Sequence, residues 1–506
     1  MASQKPSRPP SPSTPLDRRS SVSRRHVLQG LSAVVGASAL GCGEDSTLFP
    51  QATGAGGNGG AGGASNSSGQ GGAGGNGGAS NVDACTDDGG LSPEELLAEI
   101  DTIVVLCMEN RSFDHYLGSL SLLEGRDING LTGAESNPDP NGMPVSIFNM
   151  ENFSPNDPPH NWDASHSQWN MGANDGFVIA HAGSFQHEVM GYHVREQLAA
   201  TYALADNFAI CEAWHASVMG PTWPNRCYMH GATSNGSKGN TPVVGFKSIF
   251  NVLDDADITH RNYYSDAPWC AGGYLYTSPS GLDTLEHFFT DAAAGTLPQF
   301  SFIDPKFFGA GANDDHPDHS IQLGQALIAT IYSALAQSPQ WNRCLFIVTY
   351  DEHGGFYDHV APPTTVDERP EFTQLGFRVP TLIAGPFVRK GCSVKTQLEH
   401  VSIISSLTKR FGLPSMNARV DATNTVASAI NPAYLRNPQA PAELPVIDVA
   451  MSQLRRRPQR IHHPELWEAA ELGLIPAYLD GRKDSEAIAR RVLEYGARLG
   501  AVRLHG

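Results

Sequence analysis

From about Leu91 the chain carries two kinds of apolar pattern. Thr102-Ile103-Val104-Val105-Leu106-Cys107 and Cys344-Leu345-Phe346-Ile347-Val348-Thr349 are unbroken runs rich in β-branched residues, and the stretches from Gln299 to Ile303 and from Val379 to Ala384 are similar. Runs without polar alternation belong to strands buried on both faces. Between and after them apolar residues return at helical spacing. Ile321, Gly324, Leu327, Ile328, Ile331 and Leu335 share one face, as do Val401, Ile404, Leu407 and Phe411. The stretch from Pro93 to Ile100 reads as a short helix. Buried strands separated by amphipathic helices predict an α/β fold, a three-layer α/β/α sandwich around a mostly parallel sheet.

Two long segments, from about Gly125 to Gly191 and from Ser234 to Asp283, are rich in Pro, Gly and Asn and are expected to act as lids or pocket walls. The tail from about Asn431 to Gly506 ends in a strongly helical stretch, expected only to pack against the sheet.

The N-terminal region follows different rules. Ser23-Arg24-Arg25-His26-Val27-Leu28 resembles a twin-arginine export signal, and the apolar stretch from Val27 to Leu40 that follows is too short to span a bilayer. Ala39-Leu40-Gly41-Cys42 resembles the cleavage box of a bacterial lipoprotein, which predicts membrane attachment through a lipidated Cys42; ordinary signal cleavage nearby is the alternative. From Thr53 to Ser80 the chain is almost entirely Gly, Ala, Asn and Ser, a composition that cannot bury apolar surface. The expected organisation is an export signal over 1–42, a flexible tether over 43–90 and a catalytic domain with a helical tail over 91–506. The destination is the periplasm, the cell surface or the medium. An exported protein can oxidise its thiols, but the spacing of Cys85, Cys107, Cys211, Cys227, Cys270, Cys344 and Cys392 does not fix a pairing.

A formal net charge of −18, with no cluster of Lys and Arg beyond the first few dozen residues, excludes nucleic acid as a partner, because binding a phosphate backbone needs such clusters. No protein partner is predicted.

The polar residues that matter most lie where buried strands run out, since ligands of open α/β sheets sit at the carboxyl ends of strands. One run meets Glu109-Asn110-Arg111-Ser112-Phe113-Asp114-His115, and another meets Asp351-Glu352-His353-Gly354-Gly355-Phe356-Tyr357-Asp358-His359. If Glu109, Asp351 and Glu352 converge, each pair of like charges at about 4 Å costs on the order of 4 kcal/mol at an effective dielectric near 20. A cation must offset that, or the carboxylates must hold protons. Carboxylate and amide oxygens suit Mg, Ca or Mn, and nearby histidines leave Zn and Fe open, so a divalent metal ion of unknown identity is expected. The plainer alternative is that these acids cap helices or bind surface water.

The two strand-end blocks closely resemble the signature blocks of the bacterial phosphoesterase family, which includes phosphatidylcholine-type phospholipases C and a respiratory-burst-inhibiting acid phosphatase. Three intermediate blocks agree in order: Pro159-His160-Asn161-Trp162, Gly220-Pro221-Thr222-Trp223-Pro224-Asn225-Arg226 and Asp315-His316-Pro317. The resemblance runs from about Thr102 to Pro414 and implies an alkaline-phosphatase-like α/β/α fold. It implies Glu109, Asn110, Asp351, Glu352 and Thr222 as metal ligands, Thr222 as nucleophile, His160 and His316 as histidines of the phosphate site, and Asn225 and Arg226 as substrate-binding residues.

The residue chemistry fits these roles. A threonine hydroxyl is a poor nucleophile until a cation lowers its pKa, and Thr222 precedes a helix expected to begin near Pro224, whose free N–H groups favour an anion. A helix cap is the alternative reading of Thr222. His319 has no assigned role, and His353 and His359 are expected to orient ligands or pack. His400 begins a helix from Glu399 to Phe411, while His26, His181, His462 and His463 read as structural. The sequence therefore predicts an exported, metal-dependent hydrolase of phosphate esters that cleaves a phospholipid or a small phosphate ester in the manner of a phospholipase C. An acid phosphatase acting on monoesters and a non-catalytic, metal-binding surface lipoprotein are the alternatives.

Overall fold

The run Thr102–Met108 is buried along its whole length and forms the middle strand of an eight-stranded sheet. In chain order the strands are β1 (Thr102–Met108), β2 (Ala209–Cys211), β3 (His260–Tyr264), β4 (Leu282–Thr284), β5 (Phe300–Asp304), β6 (Cys344–Tyr350), β7 (Leu382–Ala384) and β8 (Ser393–Val394). Their spatial order is β8-β2-β7-β6-β1-β5-β3-β4. This computed structural model describes residues 85–506 other than 184, 246, 277, 279, 459 and 476–480; the expected export signal, Cys42 and nearly all of the tether lie outside the described residues.

Every pairing in the sheet is parallel except the two made by β7, which runs antiparallel to β6 and β2. The expected strand from Val379 to Ala384 thus shortens to its second half. Pro380 has no N–H to give to a ladder, so pairing starts beyond it. β6, β1, β5 and β3 are consecutive and parallel, so their carboxyl ends emerge along one edge of the sheet.

Helices cover both faces. Among them are α1 (Pro93–Leu97), α2 (Trp162–Trp169), α3 (Ala199–Asn207), α4 (Thr222–Gly231), α5 (Leu285–Ala294), α6 (Ile321–Ala336), α7 (Val401–Phe411), α8 (Pro464–Glu471) and α9 (Gly481–Arg498). α3, α5 and α9 pack on α6 in one layer, and α1 and α4 pack on α7 in the other, which completes the three-layer α/β/α arrangement. In α6 only Gln322, Ser333 and Ala336 escape burial, because α9 and the strand Ile447–Ala450 lie over the side turned away from the sheet. α1 ends at Leu97, short of the expected Ile100. A capping box between Ser92 and Glu95 starts it.

Cys85 and Cys392 form a disulfide across 307 residues of sequence, which anchors the start of the described chain beside β8. Among the described residues no helix is long and apolar enough to cross a membrane. A cross-link closing so long a loop stabilises by restricting the unfolded chain, by roughly 2–4 kcal/mol. Cys392→Ser is expected to lower unfolding free energy by that amount in denaturant titration; an unchanged midpoint would contradict this reading of the bridge.

Candidate active site at the strand ends

Glu109 and Asn110 follow β1, Asp304 ends β5, and Asp351 and Glu352 follow β6; all five side chains are wholly buried. Three of the carboxylates meet at Arg226 of α4. Its Nη2 donates to Glu109 Oε1 (2.9 Å), Nη1 to Asp304 Oδ1 (3.1 Å) and Nε to Asp351 Oδ2 (3.2 Å). The like charges foreseen at the strand ends are therefore met first by an internal cation. Removing it would leave three buried acids without their shared counter-ion, a change of the kind that costs about 3–5 kcal/mol.

Asn225 and Arg226, expected to bind substrate, turn their polar atoms to groups within the protein. Every nitrogen of the Arg226 guanidinium faces a carboxylate within the protein. Asn225 Oδ1 accepts from Val218 N (2.9 Å), and its Nδ2 donates to the carbonyls of Gly220 (2.9 Å) and Pro221 (3.1 Å). Both residues instead secure the turn and helix that present Thr222.

Arg226 does not neutralise the whole group. Burial pushes the Asp351 carboxyl up to about 7, with the charge of Glu109 adding to the effect, and burial lifts Glu352 to about 7 although His160 opposes it. Burial also raises Glu109, but His463 and Arg226 outweigh it and hold that carboxyl at about 2.

Thr222 itself opens α4, two residues earlier than expected, with Pro221 as its cap. Its Oγ1 donates to Asn110 Oδ1 at 3.4 Å. Asn110 adopts φ 60, and this turn lets its backbone N–H donate to Asp351 Oδ1 at 3.1 Å while its side chain points at Thr222. Gly354 has φ +65, and a Cβ there would sit 2.0 Å from the Asn110 carbonyl oxygen, so the loop after β6 can lie against the loop after β1 only with glycine.

His160 Nε2 lies 3.2 Å from the Asn110 amide and 3.9 Å from Glu352 Oε1, and its Nδ1 donates to the Pro158 carbonyl at 2.7 Å. Burial disfavours its cation, but Glu352 and Asp157 outweigh that and raise its pKa to about 9. The His316 ring is 5.8 Å from that of His160. Burial, with the neighbouring histidines, holds His316 well below its ordinary value. Its Nδ1 faces the Pro317 carbonyl, which leaves Nε2 as the basic nitrogen.

Other histidines frame the acids. His353 Nδ1 lies 3.1 Å from Glu352 Oε2, and His400 Nε2 donates to the Asp351 carbonyl at 2.6 Å. His359 pairs with Asp114 in a separate cluster organised by Arg378. His462 and His463, read from the sequence as structural, reach the site. The His462 ring lies 3.9 Å from that of His316, and His463 contacts Glu109 from 354 residues away. The tail therefore does more than cover the sheet. Apart from two adjacent histidines before a proline, nothing in that stretch of sequence signals the approach. A cavity of about 320 Å³, lined by Asn156, Asp157, Phe185, Asp318, Arg460 and His462 among others, opens beside these rings.

The oxygen-rich donor set of Glu109, Asn110, Asp351, Glu352 and Thr222 fits a hard divalent cation, and Glu352 Oε1 is buried without a hydrogen-bond partner. Among the described residues, the acid and histidine trios with donor atoms within 4.8 Å of one another are Asp157/His316/His462, Asp318/His319/His462 and Asp114/Asp358/His359. The expected convergence of Glu109, Asp351 and Glu352 is looser than that, because Arg226 bridges the first two and the third faces His160.

Residues 100–414 match the Phosphoesterase family. The chain belongs to that family. This phosphoesterase is 36% identical over 363 residues to non-specific phospholipase C6 of Arabidopsis thaliana, covering 62% of this chain and 69% of that protein. It is 30% identical over 394 residues to phospholipase C A of Mycobacterium tuberculosis, covering 63% and 74% respectively. A solved structure of a protein in the alkaline phosphatase superfamily from Vibrio parahaemolyticus shares 13% identity over 63% of this chain and 68% of that one, with a TM-score of 0.29. The phosphoesterase is thus a phospholipase C-like hydrolase acting on phosphate ester bonds. The matched span holds every site residue expected from the sequence and ends before His462 and His463.

Gly354→Ala is expected to force the two strand-end loops apart, destabilising the fold by about 1–3 kcal/mol and lowering turnover at least about tenfold. Thermal unfolding and an ester-hydrolysis assay measure both, and a variant matching the parent in each would contradict the close approach.

Proposed function

We propose that this phosphoesterase is an exported, metal-dependent enzyme that cleaves phospholipid phosphodiesters through a phosphothreonine at Thr222. The observation that carries the reading is the Thr222 hydroxyl at the start of a ten-residue helix, 3.4 Å from Asn110, whose backbone N–H in turn donates to the buried Asp351. Two relatives named phospholipases C support the phosphodiester over the monoester as substrate.

A divalent cation held by Glu109, Asn110, Asp351, Glu352 and Thr222 would supply Lewis acidity, drawing charge from the phosphoryl oxygens and favouring the alkoxide form of the hydroxyl. The rest falls to the chain. The N-terminus of α4 presents its positive end to the anionic phosphoryl group. Thr222 Oγ1, its proton lost to solvent as the alkoxide forms, bonds to phosphorus as the bond to the leaving alcohol breaks, and regains a proton from solvent when it is later released. His160, beside Glu352 and Asp157, is placed to give that alcohol its proton. His316, held neutral with a free Nε2, is suited to take a proton from the water that then attacks the phosphothreonine and releases Thr222. Two histidines pushed in opposite directions by their surroundings are what an acid and a base working at one pH require. Residues 1–42 would direct export, with Cys42 as lipid anchor.

Thr222→Ala is expected to lower turnover of a chromogenic choline phosphodiester by at least about 1,000-fold. A retained rate removes the nucleophile assignment. Treatment of the parent with a chelator should abolish the same activity until a divalent cation is returned, and indifference to chelation would remove the metal. Faster turnover of a phosphate monoester than of the diester would make the enzyme an acid phosphatase.

A further inference from the structure

The C-terminal segment brings one ring into contact with both halves of the site. His463 Nε2 lies 2.9 and 2.8 Å from the two carboxylate oxygens of Glu109. Its Nδ1 accepts the indole Nε1–H of Trp223 at 3.2 Å. An indole N–H can only donate, so Nδ1 carries a lone pair and the ring's proton sits on Nε2, where Glu109 accepts it. A single imidazole therefore ties the acid at the end of β1 to the residue after Thr222.

The contact is built in rather than incidental. His463 is 6% exposed and adopts φ 51, and its carbonyl accepts from Trp467 N (2.9 Å) in the first turn of α8. Leu466 and Ala470 of α8 are buried in an apolar cluster that also holds Trp223, Trp269 and Phe307. The ring of His463 meets Phe307 edge-on at 5.1 Å. Leu466 docks over Gly272, where a Cβ would lie 2.4 Å from its Cδ1. The helix that delivers His463 and the tryptophan that orients it are thus packed in the same cluster. Docking α8 and fixing Glu109 are one event.

We propose that His463 is a positioning residue, which fixes both oxygens of Glu109 and couples them to the helix that begins at Thr222. It rests on the reading of Glu109 and Thr222 as working parts of the site. The test uses the full chain, a chromogenic phosphodiester and a parallel measurement of thermal unfolding. His463→Ala is expected to lower kcat by roughly 10–100-fold, the usual effect of losing such a support, while KM stays within about threefold. His463→Gln, whose amide N–H can still reach Glu109, should recover most of that loss. Trp223→Phe keeps the packing but removes the donor, and should lower kcat about fivefold, the worth of one ordinary hydrogen bond.

Wild-type kcat in a folded His463→Ala protein overturns the proposal, as does a folded His463→Gln protein no better than alanine. If the alanine protein does not fold, Trp223→Phe decides the matter, since wild-type kcat there overturns the coupling. Full turnover by Thr222→Ala would instead sink the reading of the site itself, whereas an inactive Thr222→Ala beside an unimpaired His463→Ala sinks only the positioning role.

Discussion

Strands that run parallel and end side by side carry their last side chains to one place, and here those side chains are carboxylates out of reach of water. Charges so placed repel one another by several kcal/mol each unless a cation lies among them. Arg226 meets that need for Glu109, Asp304 and Asp351 at once. The dependence is mutual, since a guanidinium buried among apolar rings would be as costly without the acids. Arg226 stands four residues after Thr222, hence on the same face of α4 and one turn further along. The ion pairs that hold the helix in register with β1, β5 and β6 therefore also set where the hydroxyl at its start is presented.

What remains after Arg226 explains the rest of the site. Burial lifts Asp351 and Glu352 to about 7, so their charged forms are destabilised in the folded protein, and a further cation beside them would favour those forms. Glu352 faces His160 and lifts its pKa against the effect of burial, while burial, with the neighbouring histidines, presses that of His316 down. The buried acids and the burial of the rings thus push these two histidines in opposite directions.

The strands that carry the acids were legible because a strand covered on both faces must be an unbroken apolar run, as β1 and β6 are, and because its polar successors then stand out. β3 was not, because His260-Arg261-Asn262-Tyr263-Tyr264 looks like a loop. Asn262 is polar for a local reason, as its Nδ2 donates to Asp304 (3.0 Å) within the acid group. The nucleophile candidate and its neighbours could be picked out as a block, but the block could not say which way Arg226 faces. An arginine beside a reactive threonine reads the same whether it meets substrate or a buried acid, and only its burial distinguishes the two. His463 was invisible for a different reason. It belongs to no periodic element and acts across the whole length of the domain, and only the packing of α8 against Trp223 brings it to Glu109.

The central claim is that Thr222 attacks phosphorus from among these strand-end acids. The most direct measurement is a crystal structure of the full chain with orthovanadate, a mimic of the five-coordinate transition state. The account predicts vanadium bonded to Thr222 Oγ1, with a cation contacting Asp351 and Glu352 and with His160 turned toward the leaving-group oxygen. Vanadate bound elsewhere, with Thr222 still hydrogen-bonded to Asn110, would contradict it.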